Sequence, residues 1–342
     1  MGINLYTTDK TIGNREDLTD ILTNISPTET PFISSIGRTL ARSVYHEWQT
    51  DTLAAVASAG ANAYDEGFSA TNASGSVTTR LGNRTQLFSK VVMVSNTELA
   101  MNPAGRDNEY SYQLQKRTKE LARDLEAACL VQSAQSSGEA TAGTARLLEG
   151  LGVSDAAYGT AATAGLAGWI SANYYIGTAL GLTAGGNNGV SAASGRFNLT
   201  ETLLNNLFQV IWEQGGAPDM VFANGYLRRV ISGFTTNNTR FQTIPNSNSE
   251  VMLNGSVDVY RYDFGIVSIK SNRYMSSTQI AAVQTEYFKL AELRGMNFKE
   301  LAVDGDRTRG LLTYEATLAA YAPRTGGVIR QLASALGATV SD

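Results

Sequence analysis

The side chains that could do chemistry in this chain are few. There is one histidine, His46, and one cysteine, Cys129, with carboxylates as the remaining candidates. A serine or cysteine nucleophile paired with a base would have to recruit His46. That residue sits beside Trp48 in the alternating run Val44–Gln49, a setting for a packed histidine rather than a proton acceptor. Cys129 falls within a long helical pattern and is expected as a buried thiol. Zinc ligation by Cys and His needs more of both than the chain carries. No nucleophile elbow, phosphate-binding loop or dinucleotide-binding glycine pattern occurs. Asp304-Gly-Asp306-Arg307-Thr-Arg309-Gly310 opens like a calcium loop, but Arg309 stands where that loop needs glycine, so a mixed-charge turn is expected. Asp51, Asp65 and Glu66 lack the apolar flank that would make a pocket around them. No catalytic, cofactor-binding or metal-binding residue is assigned, no cofactor is expected, and the chain does not read as an enzyme.

Composition narrows the remaining classes. Of 342 residues, 43% are hydrophobic and 17% charged, which supports a sizeable core divided among two or three lobes. Thirty-three glycines against 6 prolines suggest a loop-rich chain. A net charge of -4 and scarce lysines argue against a protein built to grip nucleic acid. A lone cysteine cannot form an intrachain disulfide, which fits a reducing compartment. MGINLYTTDK lacks the apolar run of a secretory signal. Residues 156–195 are uncharged but too rich in Gly, Asn, Ser and Thr for a membrane span, so no membrane partner is expected.

The elements that would position these residues follow from periodicity. Leu18, Ile21, Leu22 and Ile25 recur at helical spacing, and Thr30-Pro31 reads as an N-cap and first-turn proline for a short helix around Phe32, Ile33 and Ile36. Helices this short need something to dock on. Val44, His46 and Trp48 alternate as a strand, and the return arm is expected through Gln86–Val94, with Val91–Val94 apolar on both faces and therefore buried. Arms of about 13 residues would reach roughly 40 Å, around a small, polar tip at 52–78. A two-stranded ribbon of that length is marginal without a partner. A long helix is expected over 108–135, with Leu114, Thr118, Leu121, Leu125 and Ala128 as its seam and charged residues including Glu126 covering the rest. Within the Gly/Ala-rich 136–197, only 165–173 looks ordered. Asn198, with Glu201 in the reciprocal position, is expected to cap a helix that stops at Gly215-Gly216. A strand over Met220–Ala223, a helix after Asn224 and several terminal strands follow. In the last of these, Leu312, Tyr314, Ala316, Leu318 and Ala320 oppose Thr313, Glu315 and Thr317.

This order of arm, hairpin, spine helix, α/β lobe and terminal strands resembles the major capsid proteins of tailed double-stranded DNA bacteriophages. Local strings carry the same resemblance: Glu16-Asp-Leu-Thr-Asp-Ile-Leu22, Ser26-Pro-Thr-Glu-Thr-Pro-Phe32, His46-Glu-Trp-Gln-Thr-Asp-Thr-Leu53, Asn83-Arg-Thr-Gln86 with Val94-Ser95, Gly165-Leu-Ala-Gly-Trp-Ile170, Gly216-Ala-Pro-Asp219 and Gly310-Leu-Leu-Thr-Tyr-Glu-Ala-Thr-Leu318. The resemblance implies an α+β capsid fold. Its parts would be an N-terminal arm (1–38), an extended hairpin loop (39–95), a peripheral-domain spine helix (96–136), an axial domain with a Gly/Ala-rich insertion (137–285) and C-terminal strands of the peripheral domain (286–342). It implies a homo-oligomer of hexamers and pentamers forming an icosahedral shell, assembled in the host cytoplasm and enclosing double-stranded DNA through non-specific contact. Separate scaffolding, portal and decoration proteins would be its partners. Inter-subunit contacts are expected at Leu18, Ile21, Leu22, Phe32, Trp48, Asp51, Asp65, Glu66, Asp304, Asp306, Arg307 and Arg309. The competing readings are a nanocompartment shell of the same fold, a carboxylate-dependent hydrolase, and a tail-tube component.

Overall fold

The computed structural model describes residues 28–51, 53, 56, 63–69, 77–101, 108–131, 135–138, 143–152, 174–175, 190–191, 196–234, 241–243, 251–253, 258–302, 305–330 and 332–333. Five α-helices occur among them: α1 Pro31–Ser35, α2 Asn96–Ala100, α3 Glu109–Val131, α4 Glu201–Glu213 and α5 Gly225–Gly233. The first strands are β1 Gly37–Leu40, β2 Tyr45–Thr50, β3 Thr79–Arg84 and β4 Gln86–Ser95. Short strands β5 Tyr174–Tyr175, β6 Val190–Ser191 and β7 Arg196–Phe197 follow, then β8 Met220–Ala223, β9 Phe241–Thr243 and β10 Val251–Leu253. The remainder are β11 Val259–Tyr262, β12 Gly265–Ser271, β13 Ile280–Val283, β14 Phe288–Glu300, β15 Arg307–Ala320 and β16 Gly327–Ile329. The architecture is α+β. The expected helices around Leu18–Ile25 and the segment 165–173 lie outside the described residues.

The chain forms two compact units. One comprises Met1–Glu29, Ser89–Leu121 and Asn297–Thr313, and the other Thr30–Phe88, Ala122–Met296 and Tyr314–Asp342. In the first, α3 begins where the Asn108 carboxamide accepts the Ser111 N–H at 3.2 Å, with Glu109 in the positive first turn. Its 23 residues span about 35 Å. Gly310 leaves room for an edge-on pair of Tyr110 and Phe298, since a Cβ there would meet the Tyr110 hydroxyl at 2.3 Å.

The second unit is organised by a six-stranded mixed sheet ordered β11-β12-β8-β13-β16-β5. Helices α4 and α5 cover one face, burying Leu203, Leu204, Leu207, Phe208, Ile211, Leu227 and Ile231 against Val221, Ala223, Val267, Ile269, Ile280 and Ala282. Thr200, not Asn198, caps α4: its hydroxyl accepts the Leu203 N–H at 3.3 Å. Leu199 is drawn into the core, so the chain stays extended past Asn198 and the first turn starts later. At the other end Gly215, at φ 87°, donates to the Trp212 carbonyl and Gly216 to that of Ile211, the paired bonds of a glycine C-terminal cap.

A four-stranded sheet ordered β1-β14-β15-β4 corrects two expectations. The return arm of the hairpin is β3, paired antiparallel to β2 from Tyr45↔Arg84 to Thr50↔Thr79, and β4 belongs to the sheet. Six paired residues per arm give about 20 Å rather than 40. In β4 Val92 and Val94 are buried while Val91 and Met93 are exposed, so the apolar run is not buried on both faces. On β15, every residue from Tyr314 to Ala320 is buried, and the face carrying Glu315 and Thr317 is interior, not solvated.

Gly150 shows how tightly the second unit packs internally, around its own residues Ala128 and Cys129. A Cβ there would lie 2.4 Å from the Cys129 carbonyl oxygen and 2.6 Å from that of Ala128, both backbone atoms that cannot swing aside. Gly150→Ala is expected to lower stability by about 2–3 kcal/mol, seen as a fall in thermal midpoint. Gly225→Ala, whose added methyl meets nothing within 4 Å, should melt like the unsubstituted chain.

Candidate functional site

The two residues singled out for nucleophilic or proton chemistry are placed as structural groups. Cys129 is fully buried in α3, and burial with the neighbouring Glu126 carboxylate pushes its thiol pKa far up. His46 is half-buried on β2 with its ring 5.8 Å from that of Trp48, and burial lowers its pKa, leaving it uncharged at neutral pH. Among the described residues no three His, Cys, Asp or Glu side chains converge as metal ligands, and no helix is long and apolar enough to cross a membrane.

Two buried carboxylates instead organise the second unit. Glu126 reaches from α3 to the start of α1, where it accepts the Phe32 N–H at 2.8 Å and the Ile33 N–H at 2.9 Å. The Asn272 carboxamide donates to the same carboxylate at 2.6 Å. Thr30, the expected cap, makes no side-chain bond to α1; the acid from 94 residues away does that work. Burial raises the Glu126 pKa, against the lowering effect of those three donors. With α1 held, Phe32 drops edge-on against Phe222, ring centroids 5.5 Å apart.

Glu315 is the second acid. It accepts the Thr85 hydroxyl at 2.9 Å, Arg146 Nη2 at 2.8 Å and Arg294 Nε at 2.7 Å. Burial would raise its pKa, but the Thr85 hydrogen bond, the Arg294 bond and charge and the Arg146 charge outweigh that and hold it below the usual carboxylate range. Beside it Asn83, fully buried, donates to the carbonyls of Glu149 (2.8 Å) and Leu318 (2.7 Å) and accepts the Glu149 N–H at 2.9 Å. The Thr85 N–H donates to Val44 O at 2.8 Å. Together these bonds clamp the residues where β3 ends, so the β2–β3 ribbon leaves the unit from a fixed base. Trp48, buried on β2, packs edge-on against Tyr321 at 5.8 Å and seals the same base.

Of the residues expected at a contact surface, Leu18, Ile21, Leu22 and Asp304 lie outside the described residues. Phe32 and Trp48 are interior to their own unit. Asp51, Asp65 and Glu66 are exposed along the hairpin. Asp65 accepts the Phe68 N–H through its backbone carbonyl, closing a turn with Gly67 at φ 85° on which Tyr64 and Phe68 stack at 4.2 Å. Asp306 accepts the Asn96 carboxamide at 2.8 Å, while Arg309 donates to the Ala302 carbonyl at 3.2 Å, and Arg307 is half-buried. Sequence reading passed over Glu126, Glu315 and Asn83. The signal for the two acids was there: each is the lone charge in an apolar run, Leu125-Glu-Ala-Ala-Cys-Leu-Val131 and Tyr314-Glu-Ala-Thr-Leu-Ala-Ala320.

Residues 5–333 match the family described as SU10 major capsid protein. The major capsid protein of Escherichia phage Phieco32 is 27% identical over 337 residues, spanning 93% of this chain and 94% of its own. Among solved structures, the capsid of Myoviridae Phage XM1 superposes with a TM-score of 0.54 at 12% identity, covering 93% of this chain and 97% of that one. The holo-SrpI encapsulin complex of Synechococcus elongatus PCC 7942 gives 0.53 at 10%, covering 96% of each. At such identities the structural likenesses establish the fold alone, and both kinds of shell share it.

The Glu315 clamp has a defined pH signature. Because its folded-state pKa is depressed, the stability it contributes is present at neutral pH, above the unfolded value near 4.3, and is lost as pH falls through and below it. Glu315→Gln should destabilise by about 1–3 kcal/mol at pH 7, since two part-exposed arginines and a hydroxyl lose charge-assisted bonds to a buried acceptor. The gap between the denaturant midpoints of the two chains should narrow as pH is lowered from 7 toward about 3. An equal gap at both ends would show that the carboxylate's charge plays no part.

Proposed function

The chain belongs to the SU10 major capsid protein family, and we propose that its copies assemble into hexamers and pentamers closing an icosahedral phage head around double-stranded DNA. It is a phage-type major capsid protein, a virion component with a structural role. The observation carrying the assembly reading is the β2–β3 ribbon. Its base is locked by buried polar bonds, yet beyond the paired segment Leu53 and Val56 are each 98% exposed and Tyr64 and Phe68 stand in solvent. A ribbon of two strands is marginal by itself, and such an apolar tip is stabilised when a neighbouring subunit covers it. Asp51, Asp65 and Glu66 would then form its polar rim, and residues 1–38, with Leu18, Ile21 and Leu22, an arm that docks on a neighbour.

In this reading the β2–β3 ribbon within 39–95 is the extended loop, 96–136 with β14 and β15 of 286–342 build the peripheral domain, and 137–285 with β16 the axial domain. The turn carrying Asp304, Asp306, Arg307 and Arg309 would face other subunits. A subunit with net charge -4 encloses DNA through diffuse, non-specific contact rather than tight phosphate binding. Assembly takes place in the host cytoplasm, with separate scaffolding, portal and decoration proteins.

Removal of residues 54–76 tests the role of the ribbon. The shortened chain should melt within about 2 °C of the full chain, because every described residue it loses is exposed, but should yield no closed particles by electron microscopy. Normal particles from the shortened chain would refute that role.

The contacts are expected to be non-covalent. Residues 51–79 contain no lysine to form an isopeptide bond from the tip, Lys90 lies on β4, and Cys129 is sealed in the core. On a denaturing gel of mature particles, a single band at the monomer mass is the expected result; covalent multimers surviving reductant would contradict it.

A further inference from the structure

The α/β lobe built on the six-stranded sheet has two uncovered surfaces of opposite character. On the helical side, the C-terminal end of α4 places Trp212 outward, 55% exposed. Phe264, 41% exposed, stacks on it with centroids 4.9 Å apart. Phe264 comes from the tight turn Asp263-Phe264 that joins β11 to β12 through the Tyr262↔Gly265 pair. Glu213 and Asp263, both exposed, flank the stack. This corner is aromatic and acidic.

The other side of the sheet is covered over only part of its width. Phe222 on β8 is buried there beneath Phe32. Toward β11, the last strand of the sheet among the described residues, the cover ends. The cross-strand partners Val259↔Ser268 and Arg261↔Ile266 put Val259, Arg261 and Ile266 on this same side, with Lys270 next to Phe222 in register. Val259 is 58% and Ile266 61% exposed, and both cations are exposed. This face is aliphatic and basic.

Two aliphatic side chains and a stacked aromatic pair left in water on one lobe are unusual for a surface that stays wet. Charge decides what covers them. Pairing the acidic corner with itself would set Glu213 and Asp263 against their own copies, and pairing the basic face with itself would oppose Arg261 and Lys270. Like charges brought together at a contact cost several kcal/mol, so a two-fold arrangement of either surface is disfavoured. Corner against face satisfies both charge and apolar area.

We propose that these surfaces are the two halves of one head-to-tail contact between copies of this chain: Trp212, Glu213, Asp263 and Phe264 of one subunit seat on Val259, Arg261, Ile266 and Lys270 of the next. A contact between unlike patches repeats around a rotation axis and closes a ring. Trp212 is its anchor, a residue type that dominates such interfaces, and the four charges set direction and partner. The inference rests on the shell reading and names a contact within it.

Three full-length chains test it, beside the wild type, by electron microscopy and light scattering under conditions where the wild type forms particles. The pair Arg261→Glu with Lys270→Glu makes both surfaces acidic, and the pair Glu213→Lys with Asp263→Lys makes both basic. All four sites are exposed, so each chain should keep the wild-type circular dichroism and melting curve. Each half-swap should lose about tenfold or more in particle yield, and the chain with all four changes should recover it, because corner and face are again opposite in sign. Half-swaps that assemble like the wild type, or a fourfold swap that fails to recover, overturn the contact and leave the shell reading standing. A wild-type chain that stays monomeric with or without scaffold overturns the shell reading itself.

Discussion

The rest of the second unit depends on one buried carboxylate receiving two guanidinium groups and a hydroxyl. Glu315 ties together four separate stretches of chain: Thr85 at the ribbon base, Arg146 in the segment after α3, Arg294 on β14 and its own strand β15. Bringing an acid out of water costs several kcal/mol, and only donors arranged around it offset that cost. The arrangement is therefore strict. Without one arginine the buried carboxylate keeps a single counter-charge, and without Thr85 it loses a hydrogen bond at the ribbon base, so each donor favours this one geometry. An apolar plug of similar volume would pack as well but would tolerate several angles. For the neighbour contact proposed for this ribbon, direction would matter more than bulk stability.

Glu126 applies the same device with the opposite electrostatic balance. Among the described residues its donors are two backbone N–H groups and a carboxamide, and burial outweighs them so that its pKa rises. The acid stands in for a cap that Thr30 does not supply, and it joins α1 to both α3 and the loop at Asn272. A short helix of five residues has no stability by itself. It exists because a remote side chain satisfies its first donors and because Phe32 has Phe222 to pack against.

Much of the fold was legible in the sequence. The α3 seam, the strand at 220–223, the helix after Asn224 and the glycine stop at 215–216 all came from local periodicity and turn chemistry, which a window of a few residues contains. The misreadings share a cause. Gln86–Val94 looked like the return arm because alternation shows that a strand exists, not which strand it pairs with. The bend at Thr85 is fixed by Glu315, 230 residues away. Glu126 and Glu315 were placed on the polar side of their elements because charge normally goes there, and the partners that let these two stay inside are distant in sequence. Asn83 was quoted as part of a recurring string without its bonds to Glu149 and Leu318 being visible.

The isolation of Cys129 has a practical side. It is the chain's only sulfur nucleophile, and it lies wholly inside α3 with its thiol held far from ionisation. The folded chain thus begins as a blank for thiol-directed labelling. A cysteine introduced at an exposed position such as Ser69, one residue past the Tyr64–Phe68 turn, would be the sole reactive thiol on each copy. Fluorophores or spin probes attached there would report on the ribbon tip alone, at one defined point per subunit, without first stripping any native residue from the protein.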